Sequence, residues 1–205
     1  MKTAAIIDYG MCNLDSVARA VEECGAKSLV TDRLEDLGKV SHVILPGVGA
    51  FPDAMMNIKQ RSLDKILYEQ VIEKQVPFLG ICLGMQLLAT RGTEGGETEG
   101  LGWIPGEVVR LQPFGDDTRI PHVGWNEVHF QRESPLFSGI PPGKDFYFVH
   151  SYHFRPNHEE DVLAETPYGN GFVSVIQREL VFGVQFHPEK SQKMGLQLLR
   201  NFLSI

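Results

Sequence analysis

Hydrophobic residues follow two different periods along the first half of this chain. Residues 4–7 (Ala-Ala-Ile-Ile) form a short apolar run, the pattern of a strand buried on both faces. Leu14, Val17, Ala18 and Val21 then recur at three- and four-residue spacing, which predicts a helix over 13–24 with one apolar face. Asn13 suits its N-cap and Gly25 its stop. Short strands are predicted at 27–30 and 42–45, a helix over 63–74, and a further buried strand at 76–79. Alternation of this kind predicts a parallel sheet with helices on both faces. Such sheets bind ligands beyond the carboxyl ends of their strands. The second half reads instead as strands at 108–111, 125–130, 146–151, 162–165, 172–177 and 181–186. Tight turns are expected at 168–171 and 178–179, and a closing helix over 191–203 carries Met194, Leu198 and Leu199. The expected fold class is α/β, a mostly parallel central sheet with flanking helices and an antiparallel extension. Residues 1–205 read as one domain without internal repeats, and the glycine-rich stretch 92–102 is too short for a linker.

Composition narrows the function classes. A length of 205 residues suffices for a sizeable core, and a formal charge of -7 argues against nucleic acid or a membrane surface as partner. There is no signal-peptide pattern and no apolar run long enough to span a bilayer. Three cysteines, Cys12, Cys24 and Cys82, without Cys-x-x-Cys spacing suggest neither a disulfide framework nor a metal site. A reducing compartment, the cytoplasm, is the expected location.

The chemistry concentrates in Gly80-Ile81-Cys82-Leu83-Gly84-Met85-Gln86, which follows a predicted strand and opens a helical pattern through Met85, Leu87, Leu88 and Ala89. Gly-x-Cys-x-Gly at a strand-to-helix bend is the thiol form of the nucleophile elbow. The helix N-terminus beyond it favours a thiolate and a developing oxyanion. Cys12 and Cys24 read as small packing residues. Phe186-His187-Pro188-Glu189 can supply a base and its orienter. Pro188 pushes His187 towards an extended conformation, and Glu189, two residues on, can project to the same side. An ion pair of Glu189 with Lys190 or Lys193 is the alternative. The remaining six of seven histidines read as incidental surface residues. Pro46-Gly47-Val48-Gly49 is either a plain turn after a parallel strand or the source of a second oxyanion N–H beside that of Leu83.

Together these two motifs resemble those of the triad-type (class I) glutamine amidotransferases, whose fold is flavodoxin-like, and the likeness runs from the first strand to the last helix. Within that family three stretches are similar to the glutaminase subunits of imidazole glycerol phosphate synthases, enzymes of histidine biosynthesis. They are Leu45-Pro46-Gly47-Val48-Gly49-Ala50-Phe51, Pro121-His122-Val123-Gly124-Trp125-Asn126 and Phe148-Val149-His150-Ser151-Tyr152. Val123 and His153 depart from the frequent methionine and tyrosine. The resemblance implies Cys82 as nucleophile, His187 as general base and then acid, and Glu189 as its orienter. It places Gln86, Glu94 and the main chain of Ser151 and Tyr152 around the substrate glutamine. Leu83 and the Gly47-Val48-Gly49 loop would form the oxyanion hole, and His122 and Trp125 would lie at a partner interface. No metal and no cofactor is implied. The implied partner is a cyclase subunit with a (β/α)8 barrel fold, in a heterodimer. The glutaminase of another amidotransferase and a stand-alone cysteine hydrolase remain the alternatives.

Overall fold

The computed structural model of this protein describes residues 2–113 and 119–205. In chain order the strands are β1 (Thr3–Ile7), β2 (Lys27–Thr31), β3 (His42–Gly47), β4 (Phe78–Cys82), β5 (Arg91–Gly92), β6 (Thr98–Glu99) and β7 (Gly106–Arg110). They continue as β8 (His122–Phe130), β9 (Lys144–His150), β10 (Tyr152–Pro156), β11 (Val162–Thr166), β12 (Phe172–Arg178) and β13 (Val181–Val184). The helices are α1 (Leu14–Glu23), α2 (Leu34–Leu37), α3 (Phe51–Gln60), α4 (Leu63–Leu67), α5 (Leu83–Gln86) and α6 (Gln192–Phe202).

Nine strands form one sheet in the order β2-β1-β3-β4-β13-β12-β11-β8-β9. The pairings from β2 through β13 are parallel, and those from β13 to β9 antiparallel. Each residue of β3, β4 and β13 is buried, as expected of central parallel strands covered on both faces. Successive side chains of the first strands enter opposite layers. Ile6 and Ile44 join α1 and α6 through Val17, Val21, Leu198 and Phe202. Ala5, Ile7, Val43 and Leu45 join α3 and α4 through Phe51, Met55, Ile58 and Leu63. A smaller sheet, β10-β7-β5-β6, packs in this second layer, where Phe78 meets Trp103 edge-on at 5.1 Å. The fold is thus the α/β architecture expected.

Several local expectations are corrected. A helix over Phe51–Gln60 was not anticipated, although Phe51, Ala54, Met55 and Ile58 bury one face at helical spacing. Pro52 at its first turn suits a helix start, a signal that was not used. The helix expected at 63–74 is only α4 followed by a π-helical segment, Tyr68–Glu73. Asn13 stands at the α1 N-cap without a side-chain cap bond, whereas Gly25 ends the helix at φ 85°. The turn before β13 is Glu179-Leu180, one residue later than expected, with Glu179 at φ 52°. Strand β10 was missed because the chain changes sheets at Ser151: β9 pairs with β8, while β10 pairs with β7. The carboxyl ends of the neighbouring strands β3, β4 and β13 converge, and there the expected chemistry meets.

Candidate active site

Cys82 ends β4 and caps α5 with φ 55° and ψ -110°, a left-handed backbone that a non-glycine residue adopts only under constraint. The two flanking glycines permit it. A Cβ on Gly84 would lie 1.8 Å from the carbonyl oxygen of Leu45, and one on Gly80 would lie 2.5 Å from that of Gly84. The bend therefore closes against β3 with no room for a side chain, which aims Sγ out of the sheet. The helix beyond is a single turn, shorter than the apolar run through Ala89 suggested, since Leu87, Leu88 and Ala89 are also fully buried. As the first residue of that turn, Leu83 has no intrahelical acceptor for its N–H, and it lines the cavity at Cys82.

The structure brings His187 and Glu189 to Cys82 across 105 residues of sequence (187 minus 82). His187 is extended at φ -101° and ψ 95°, and its N–H donates to the Tyr147 carbonyl at 2.9 Å. Glu189 sits in a 3-10 turn, Pro188–Lys190, rather than on an extended segment, so the turn and not strand alternation gives its reach. Its Oε1 accepts from His187 Nδ1 at 2.8 Å, with both side chains buried. This pairing replaces the alternative ion pair with a lysine. Burial alone would lower the His187 pKa. The negative charge of an ionised Cys82 sulfur on one side and the carboxylate of Glu189 on the other outweigh it and push the value up to about 10. Nε2 of His187 is buried without a hydrogen-bond partner among the described residues, leaving it free for a proton in transit.

A cavity of about 230 Å³ opens at this point, lined by Val48, Gly49, Cys82, Gln86, Glu94 and the 149–152 segment, with His187 at its edge. Gln86, Glu94, Ser151 and Tyr152 all reach it, but two of them carry other duties. Gln86 Nε2 donates to the Tyr152 carbonyl at 2.8 Å and to Gln185 Oε1 at 3.0 Å, so its amide holds the wall together. Glu94 Oε2 accepts from the Phe51 N–H at 2.8 Å, at the start of α3. The Val48 N–H, expected as an oxyanion donor, donates to the Met11 carbonyl at 2.9 Å. Gly47 is buried against Tyr9 and Leu83. In this conformation the loop offers no Val48 donor to the cavity, and a turn of the 47–48 peptide would be needed to provide one.

The other histidines depart most from expectation. His42, His122 and His150 are buried instead of incidental surface residues. His122, expected at an interface, is 3% exposed and stacks on Tyr168 with ring centroids 3.8 Å apart. The outer face of its strand belongs to Val123 and Trp125, exposed by 56% and 47%. Two residues at the site were missed. Gln185 donates to Cys82 Sγ at 3.7 Å and is fully buried, and its only signal was an amide inside an apolar strand two residues before His187. Tyr9, whose buried hydroxyl lies where a Gly47 side chain would be, had no signal at all. Among the described residues no group of three or more His, Cys, Asp or Glu could hold a metal ion, and no helix is long and apolar enough to cross a membrane.

The same architecture recurs in known proteins. Residues 5–205 match the family described as glutamine amidotransferase class-I. An imidazole glycerol phosphate synthase subunit HisH from Moorella thermoacetica is 53% identical over 98% of this chain and 94% of its own length. The HisH subunit of Aquifex aeolicus is 48% identical over 96% of this chain and 94% of its own. Among solved structures, a putative GMP synthase protein from Thermoplasma acidophilum superposes with a TM-score of 0.74. It is 19% identical, and the match covers 100% of this chain and 93% of that one, a likeness of fold. PurLQS from Thermotoga maritima gives a TM-score of 0.70 at 18% identity, covering 99% and 98%. With the elbow, the cavity and the full-length match in agreement, this chain belongs to the class-I glutamine amidotransferases.

Proposed function

We propose that this amidotransferase is the glutaminase subunit of an imidazole glycerol phosphate synthase and that Cys82, His187 and Glu189 carry its chemistry. The observation that supports the triad is the hydrogen-bonded His187–Glu189 pair beside Cys82, at the edge of the cavity that Cys82 and His187 both line. The choice of synthase is supported by the HisH relatives, matched over nearly their whole length.

In this reading the Cys82 thiolate attacks the glutamine carboxamide, and the oxyanion forms beside the Leu83 N–H. Protonated His187 gives its proton to the departing ammonia and, once neutral, activates the water that releases glutamate from the thioester. Glu189 fixes the imidazole through Nδ1 and stabilises its cation. Glu94, with one oxygen held by the Phe51 N–H, presents a carboxylate suited to the substrate ammonium. The second oxyanion donor is the Val48 N–H after it leaves Met11. Such donors are worth about 2.7–4 kcal/mol of barrier each, so the resting loop amounts to a brake. Ammonia passes to a cyclase partner, which the resemblance implies is a (β/α)8 barrel, in a cytoplasmic heterodimer whose overall reaction is a lyase one. The exposed Val123, Trp125 and Val149 on the outer face of β8 and β9, next to the cavity, suit such a docking surface.

Glutamate release from glutamine by the purified chain, alone and then with a cyclase partner plus its ribulosyl ligand, tests this reading. The expected result is near silence alone and a rise of at least two orders of magnitude in the full mixture. Equal activity in both would point to the glutaminase of a different synthase.

A further inference from the structure

His122 and His150 stand directly opposite each other on β8 and β9, and their side chains turn inward, away from the exposed face of Val123 and Trp125. Their hydrogen bonds run in one direction only. Asn126 Oδ1 accepts from the Glu127 N–H at 2.9 Å, which orients the amide and leaves Nδ2 to face His122 Nε2 at 3.4 Å. His122 Nδ1 lies 3.0 Å from His150 Nε2. His150 Nδ1 lies 2.9 Å from the Tyr152 carbonyl oxygen. A carbonyl can only accept, so His150 carries its proton on Nδ1 and accepts on Nε2. His122 must then donate from Nδ1 and accept from Asn126 on Nε2. Both rings are neutral, in agreement with burial, which lowers them to about 4 and about 3. Every polar atom of the two rings is used, and the order of donors admits no reversal.

The far end of this relay is the wall of the active-site cavity. The Tyr152 carbonyl accepts from His150 and also from Gln86 Nε2, and Gln86 in turn bonds Gln185, which donates to Cys82 Sγ. Ser151, between the two, is where the chain leaves the large sheet for the small one. Its carbonyl accepts from the Leu111 N–H at 2.9 Å, so the small-sheet ladder holds Ser151 but leaves the Tyr152 carbonyl to side-chain donors. The His150 bond holds it from one side, and Gln86 from the other. We propose that Asn126, His122 and His150 form a directional hydrogen-bond relay that fixes the Ser151–Tyr152 wall of the glutamine cavity, making both histidines positioning residues for substrate binding. The relay is not part of the proton path at Cys82; it shapes the wall against which glutamine rests.

Two substitutions at 122 separate this role from packing. His122→Phe keeps an aromatic ring between Tyr168 and Phe148 but deletes the donor to His150. His122→Asn loses the ring but keeps a donor where Nδ1 lies. The relay predicts that His122→Phe raises the glutamine KM of the complex on the order of ten-fold with kcat changed less than about two-fold, the size expected of one hydrogen bond. It predicts that His122→Asn keeps a near wild-type KM. A packing role predicts instead that His122→Asn is the more destabilising variant and that KM per folded molecule is unchanged in both, and that result would overturn the proposal.

Nitrogen-15 NMR of histidine in the wild-type chain supplies a readout that needs no variant. Two neutral rings protonated on Nδ1 at neutral pH support the relay, and protonation on Nε2 at either ring refutes it. The KM comparison rests on the glutaminase reading above, whereas the tautomer measurement does not. A wild-type complex that hydrolyses no glutamine would therefore refute that reading while the NMR result still decides the relay.

Discussion

At the scale of single residues, the active centre depends on atoms that cannot move. The Leu45 carbonyl that excludes a side chain at Gly84 belongs to the backbone of a central strand. Gly84→Ala is therefore expected to cost about 3 kcal/mol or more, read as a drop in denaturant midpoint, and to displace Cys82. Cys82→Ala should abolish glutamine-dependent synthesis while leaving synthesis from added ammonia, because in the proposed mechanism the thiol acts only in glutamine hydrolysis. Loss of both activities in that assay would contradict the division of labour. Removing His187 as His187→Ala should lower kcat by about 10²–10⁴ with glutamine, the usual worth of a positioned acid–base group. These positions were legible because their demands are local. A Gly-x-Cys-x-Gly bend and a His-Pro-Glu segment advertise backbone geometry and chemistry within a few residues. Gln185 and Tyr9 were not legible, since a buried amide or phenol acquires meaning only from what lies across from it.

At the scale of elements, the strands β8 and β9 have two unlike faces. The inner face carries the His122–His150 pair, and the outer face carries Val123, Trp125 and Val149 in the open. Trp125, half exposed and in edge-on contact with Tyr147 at 6.0 Å, contributes little to the free chain and belongs to the proposed docking surface. Trp125→Ala is expected to leave the thermal midpoint nearly unchanged but weaken association with the cyclase by about 2 kcal/mol or more, measured by titration calorimetry. The sequence pattern placed most of β8 and β9 but not which face each residue takes in the assembled sheet. His122 illustrates the difficulty. The resemblance put its segment at an interface, and strand alternation then sends this one side chain inward. The unanticipated α3 makes the complementary case, since Phe51, Ala54, Met55 and Ile58 carried the helical spacing and no element was assigned there.

At the scale of the whole molecule, buried histidines tie stability to pH. Desolvation lowers His42 and His122 to about 4 and His150 to about 3. The unfolded chain takes up these protons below about 6.5 while the folded chain resists, so stability falls as pH drops from about 6.5 towards 4. Each group contributes up to about 1.4 kcal/mol per pH unit across that window. His187 acts in the opposite sense. Its value, raised by Cys82 and Glu189 against burial, adds stability that is complete below about 6.5 and is lost as pH rises through about 10. Thermal denaturation across pH 4–10 should therefore show a maximum near neutrality, with the acid limb the steeper. A flat acid limb would show that these histidines are already hydrated in the folded state.

Local sequence was enough to set the alternation of strands and helices, the elbow at Cys82, the His187–Glu189 segment and their placement at strand ends. Each follows from periodicity or from steric rules acting over a few residues. Folding alone settles that Glu189 meets His187 instead of a lysine, that the Val48 N–H rests on Met11, and that two histidines join β8 to the wall of the cavity. Those outcomes depend on cross-strand register and on which donors water can no longer reach, and such facts do not exist until the strands are paired.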